Sequence, residues 1–131
     1  MSARSETIPR KRSLGQLWQR FVRRALWKMD IHPSAWIARS ALIDRTWPRG
    51  IHIGANCVIG EEVVILTHDM TRGVYLDTVI GEGTVIGARA IVLPGLTIGR
   101  YCRIAPGSVV IRDLPEGSSV AGNPAKHIDA D

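Results

Sequence analysis

Four histidines, two cysteines and twelve acids are the raw material for chemistry in this 131-residue chain. Most of them are spaced against it. Cys57 and Cys102 are far apart and neither belongs to a CxxC pair, so they read as small core residues, not as a zinc site or a disulfide framework. His52 and His68 are sixteen residues apart with no close histidine pair, which argues against a three-histidine zinc centre that activates water. His32 and His52 follow the aliphatic residues Ile31 and Ile51 and read as surface residues, and His127 lies near the terminus. His68 differs. In Ile65-Leu66-Thr67-His68-Asp69-Met70 it is flanked by two polar residues and stands where a regular pattern breaks. Histidine titrates close to cellular pH, so an imidazole in such a place can take up a proton and hand it back. The plain alternative is a histidine that merely occupies a loop.

The elements that must hold His68 come from a repeat. Aliphatic residues recur every six positions at Ile31, Ile37 and Ile43, at Ile53, Ile59 and Ile65, and at Ile80, Ile86, Val92, Ile98, Ile104 and Val110. Several are followed by glycine, as in Ile53-Gly54, Ile80-Gly81 and Ile98-Gly99. Glycine there allows either a positive φ or a close backbone approach at a corner. Four residues after the aliphatic comes a modest side chain, such as Ala35, Cys57, Thr84, Ala90 or Ser108. The pattern describes short strands joined by tight corners, three strands to a triangular coil, with coils stacked by parallel pairing into a column. Half-buried hairpin strands would alternate with period two, and that alternation does not dominate.

The phase slips twice. Ile43 to Ile53 is ten residues, two short of a pair of hexapeptides, with Trp47-Pro48-Arg49-Gly50 accommodating a shortened corner. Ile65 to Ile80 is fifteen, three more than such a pair, which predicts a loop over residues 68–78 thrown out from the column. Irregular loops on rigid scaffolds are where function concentrates. His68 stands at the root of this one.

Residues 1–30 form a separate leader, with eight Lys/Arg and two acids, whereas residues 31–131 carry nine and ten. The pI of about 9.9 describes the leader, not the body. Leu14, Leu17, Trp18, Phe21, Val22, Ala25, Leu26 and Met29 follow the spacing of one helical face, with Ser13 as the N-cap. Such a stripe fits packing on its own protein or a neighbouring subunit. It also fits an anionic membrane surface, with Arg10, Lys11, Arg12, Trp18 and Trp27 nearby. A basic helix can bind nucleic acid, but nothing downstream supports that use. No apolar run reaches membrane-spanning length and no secretory signal is visible, so the expectation is a cytoplasmic protein, with a peripheral site at the inner membrane face if the leader binds lipid.

These hexapeptides, together with Val120-Ala121-Gly122-Asn123-Pro124-Ala125-Lys126, resemble the hexapeptide-repeat acyltransferases. The resemblance implies an all-β fold, a left-handed parallel β-helix over residues 31–131 preceded by an amphipathic α-helix. It implies acetyl-CoA as donor, no metal, and a homotrimer with its active site between subunits. It makes His68 the general base, and Asp44, Trp47, Asp69, Arg72 and Tyr75 the expected acceptor-binding residues. Ala88, Pro106, Ile111, Arg112 and Lys126 fall at the places that would line the coenzyme. Pro106 has no N–H to donate there.

Asp30-Ile31-His32-Pro33-Ser34-Ala35 and Leu42-Ile43-Asp44-Arg45 are similar to the serine acetyltransferase branch, whose segment ends in an Asp-His pair with a catalytic histidine. Here Arg45 takes the histidine's place, and arginine stays protonated. The segments around Asp44 and His68 look most like polysaccharide-type O-acetyltransferases, so the expected acceptor is a glycan or other small-molecule hydroxyl. The γ-type carbonic anhydrases share the fold and are disfavoured by the histidine spacing. A non-catalytic β-helix, serving as a binding or assembly module, is the rival from another class.

Overall fold

The computed structural model describes residues 11–128; residues 1–10, including the leader's Arg10, and residues 129–131 lie outside the described part. A column of stacked triangular coils forms the body. The first coil holds β1 (Asp30–Ile31), β2 (Trp36–Ile37) and β3 (Leu42–Ile43). The second holds β4 (Ile51–Ile53), β5 (Val58–Ile59) and β6 (Val64–Ile65). A hairpin of β7 (His68–Asp69) and β8 (Val74–Tyr75) follows. The third coil holds β9 (Thr78–Ile80), β10 (Val85–Ile86) and β11 (Ile91–Val92), and the fourth holds β12 (Thr97–Ile98), β13 (Arg103–Ile104) and β14 (Val109–Val110). β15 (Ser119–Ala121) pairs parallel to β13, and β16 (Lys126–His127) closes that sheet antiparallel.

Three faces result, ordered β1-β4-β9-β12, β2-β5-β10-β13-β15-β16 and β3-β6-β11-β14. The ladders put like on like: Ile37 pairs with Ile59, Ile59 with Ile86 and Ile86 with Ile104. Ile59, Ile65, Ile80, Ile86, Val92 and Ile98 are fully buried in the resulting column. Each such side chain stabilises the fold by about 1.5–3 kcal/mol relative to exposure. The small fourth residues lie inside as well, among them Ala35, Cys57, Thr84, Ala90, Cys102 and Ser108.

Two expectations about corners need correction. Positive φ falls three residues after the inward aliphatic, at Asn56, Glu62, Gly83, Arg89 and Tyr101, not at the glycine directly after it. That glycine serves close approach instead: a Cβ on Gly81 would lie 2.6 Å from the backbone of Gly99 and Arg100 in the coil above. The second correction concerns the phase. In the column β4 is the next strand after β3, and β9 the next after β6 once the hairpin is passed, each pair joining the same two faces. The ten-residue spacing is therefore one hexapeptide with four residues added, and the fifteen-residue spacing is one hexapeptide with nine added. Both insertions occupy the same corner of adjacent coils, and so they touch.

The leader helix α1 (Leu14–Phe21) starts at Ser13 with a capping box, in which the Ser13 hydroxyl accepts from Gln16 N and Gln16 returns the bond. A wider π-helical turn, Val22–Leu26, continues it. Its contacts invert the expected packing. Gln16 Nε2 donates to Ile37 O, Gln19 Nε2 to Arg39 O, and Arg12 to Pro33 O and Ala35 O, while Arg23 is buried. The polar side faces the column, and Leu14, Leu17, Trp18 and Phe21 of the stripe face outward, whereas Met29 at its end is buried in the core with Trp27 packed against it.

Candidate active site

His68 is placed by the meeting of the two insertions. At the root of the hairpin, Leu76 N donates to Thr67 O at 2.7 Å, and the Thr78 hydroxyl donates to Leu66 O at 2.6 Å. Thr67 is fully buried, and its hydroxyl donates across to Trp47 O in the other insertion at 2.8 Å. These bonds tie the backbone just before His68 to the far end of the hairpin and to the other insertion. The side chain itself is 23% exposed.

Asp44 lies behind it. Its carboxylate is 6% exposed and accepts from Thr46 N at 2.9 Å, Thr67 N at 3.0 Å and His68 N at 3.2 Å. Burial pushes this carboxyl up, but the N–H donors of Thr67, Thr46 and His68 together outweigh it and hold the group below its ordinary range. Asp44 is thus an anion fixed in place, with Oδ2 3.5 Å from His68 Nδ1. That separation is long for a hydrogen bond but close for a charge contact, and it favours the tautomer with its proton on Nδ1. Nε2 then carries the available lone pair. The resemblance sets Asp44 among the acceptor-binding residues; in the structure its buried carboxylate takes bonds from backbone N–H groups and lies against His68 rather than opening into the groove.

The other expected acceptor residues gather around this pair. The Tyr75 ring lies 5.9 Å from the His68 ring and 5.4 Å from that of Trp47, so the three form a row. Asp69 and Arg72 bind each other: Arg72 Nε donates to Asp69 Oδ2 at 2.7 Å, while Thr71 N and Arg72 N donate to Oδ1. The Arg72 side chain, with these backbone bonds, holds the Asp69 carboxyl below its ordinary range. The pair shapes the hairpin turn. An open groove runs past His68, Asp69 and Arg72, walled by Leu66, Leu76, Leu93, Pro94 and Ile111. Sequence reading missed this apolar wall, since Leu66, Leu76 and Leu93 gather only once the two corners are known to stack.

The expected coenzyme residues separate into two places. Ile111, Arg112 and Lys126 line one groove with Pro124 and Ala125, and Ile111 also borders the groove at His68. Ala88 and Pro106 follow β10 and β13, at a different corner, where Pro106 packs over Gly87 and Ala88 O accepts from Gly107 N. His52 has Asp30 Oδ2 2.9 Å from Nδ1 and Asp77 Oδ1 3.7 Å from Nε2. The Arg45 guanidinium lies 5.5 Å over the Trp27 ring. Among the described residues no cluster of three metal-ligating side chains occurs.

A parallel β-helix of stacked six-residue turns defines a class of protein, and comparison places the chain in it. Residues 77–112 match the family described as bacterial transferase hexapeptide (six repeats), and residues 38–67 match the hexapeptide repeat of succinyl-transferase. The chain belongs to the hexapeptide-repeat transferase family. It is 40% identical over 105 residues to serine acetyltransferase 4 of Arabidopsis thaliana, an alignment covering 76% of this chain and 29% of that protein. The serine acetyltransferase structure from Neisseria gonorrhoeae matches with a TM-score of 0.54 and 31% identity, over 77% of this chain and 41% of that one. A maltose O-acetyltransferase structure from Clostridium difficile 630 matches with a TM-score of 0.59 and 26% identity, over 84% and 73%. The chain spans about a third of the length of the curated serine acetyltransferases it matches.

Proposed function

We propose that this chain is a coenzyme A-dependent O-acetyltransferase acting on a sugar hydroxyl, in polysaccharide or lipopolysaccharide synthesis at the cytoplasmic side of a membrane. On this reading the coil is left-handed and three columns assemble. The observation that carries the chemistry is His68 standing on an open groove with an ionised, buried Asp44 behind Nδ1. The donor would supply an activated thioester. Arg112 and Lys126, lining one groove, suit its phosphates as charge-assisted donors. His68 Nε2 takes the proton from the acceptor hydroxyl as the oxygen bonds to the thioester carbon. As the carbon–sulfur bond breaks, His68 returns that proton to the sulfur, so no net proton is gained or lost. Asp44 stays ionised throughout and steadies the imidazolium between the two transfers.

The maltose O-acetyltransferase similarity supports a sugar acceptor, as does Arg45 standing where the serine branch has its histidine. The serine acetyltransferase relatives favour L-serine as a second reading. One assay separates these: acetyl transfer from acetyl-CoA to a panel of sugars and to L-serine, with wild type and His68→Ala. A sugar substrate and a loss of about 10²- to 10⁴-fold in the variant are expected. Transfer to serine alone would replace the acceptor, and activity undiminished in His68→Ala would remove the base. Absence of both transfer and calorimetric coenzyme A binding would leave a non-catalytic β-helix.

A further inference from the structure

The leader helix is amphipathic the wrong way round for a helix that only packs on its own domain. Its column side is made of Arg12, Gln16 and Gln19, bonded to carbonyls of the first coil, and of buried Arg23. Its outer side shows Leu14 at 86% exposure, Trp18 at 65%, Phe21 at 55% and Leu17 at 45%. Trp18 and Phe21 stack on each other, with ring centroids 5.8 Å apart. Since the polar contacts fix the helix against the column, the apolar stripe is held outward. Leu26 and Leu42, both exposed, extend the apolar surface beyond the helix.

We propose that this face is a membrane-docking surface, with an anionic lipid bilayer as its partner. The charge around the stripe selects that occupant. Between Lys11 and Met29 there are six Lys/Arg and no acid. Of these, Arg12 and Arg23 are turned to the column, Arg20 and Arg24 line a groove with Leu17 and Phe21, and Lys11 and Lys28 are exposed at the two ends. Arg20 and Arg24, one turn apart, border the edge of the stripe. An apolar strip with aromatic residues, rimmed by cations and without a single carboxylate, matches the apolar–anionic boundary of a bilayer. A protein partner of balanced surface would leave these cations unmatched. No helix of the described residues is long and apolar enough to cross a membrane, so the helix would lie in the interface plane. The inference does not depend on the catalytic reading.

The test uses the full chain and vesicles of phosphatidylcholine with and without phosphatidylglycerol, read by co-sedimentation. Binding is expected with phosphatidylglycerol, weakening as salt is raised. The Arg20→Gln, Arg24→Gln double variant should bind about tenfold or more weakly. A Leu17→Ser, Trp18→Ser, Phe21→Ser triple variant should lose sedimentation while still unfolding in one cooperative thermal transition, because those side chains are largely exposed and lie outside the core of the column. Failure of the wild type to sediment, or equal binding by the triple variant, overturns the proposal. So does a triple variant that changes its oligomeric state with lipid binding intact, which would assign the face to a second copy of the chain.

Discussion

Asp44 does more at this site than its sequence position announces. Its neighbour Arg45 draws attention as the residue that departs from a pattern, yet the carboxylate beside it collects three N–H donors and stands behind His68. An asparagine in its place would turn an amide N–H₂ toward donors that need an acceptor. Asp44→Asn is expected to lower kcat roughly hundredfold with KM for the donor unchanged, because the imidazole loses its orientation and not its contact with substrate. Steady-state kinetics with varied acetyl-CoA reads this split. Stability should respond to acid in the same variant pair. Because the Asp44 carboxyl titrates below its ordinary range when folded, its contribution is fully present at neutral pH and is lost as pH falls below that range. Urea midpoints should therefore fall more steeply on acidification in the wild type than in Asp44→Asn. His68 stands out in the sequence by its place at the break. Its link to Asp44, 24 residues away, does not, since it depends on two insertions sharing a corner.

At the scale of elements, the hexapeptide rhythm was legible because inward aliphatics recur on every face, and the ladders pair them as the period requires. The size of each insertion was not. Nothing in an isoleucine tells which of three faces it belongs to, so ten and fifteen residues could be counted against two hexapeptides as easily as against one. The corner glycines were likewise half legible, since the same residue satisfies either a positive φ or a close approach. The two demands separate on substitution. Gly81→Ala places a Cβ 2.6 Å from backbone that cannot yield, whereas Gly107→Ala meets nothing within 4 Å and carries only the strain of φ +72. Gly81→Ala should destabilise by about 1–3 kcal/mol and disturb the neighbouring coil, whereas Gly107→Ala should cost about 1 kcal/mol, both read from chemical denaturation.

The whole molecule poses a problem that one column does not solve. Ile111, Arg112 and Lys126 lie together near the groove of His68, while Ala88 and Pro106 lie at another corner of the same triangle. If both sets line one coenzyme, the proposed trimer offers a way to unite them, with the Ala88 edge supplied by an adjacent column. Only the family resemblance implies a shared site, for a period of six residues says which side chains point inward and nothing about which outer edges meet. Periodicity was equally silent on the leader, where it marked the apolar face of the helix but not what that face looks toward. Sharing has a sharp consequence. His68→Ala chains supply an intact Ala88 edge, and chains carrying Ala88→Trp supply an intact His68. Each homogeneous variant should be nearly inactive. Co-expressed and purified as mixed assemblies through two different tags, they should recover a substantial part of wild-type activity, because some interfaces unite the intact His68 of one chain with the intact Ala88 edge of its neighbour. A site contained within one column predicts no recovery at all, and would confine the coenzyme to the groove of Ile111, Arg112 and Lys126.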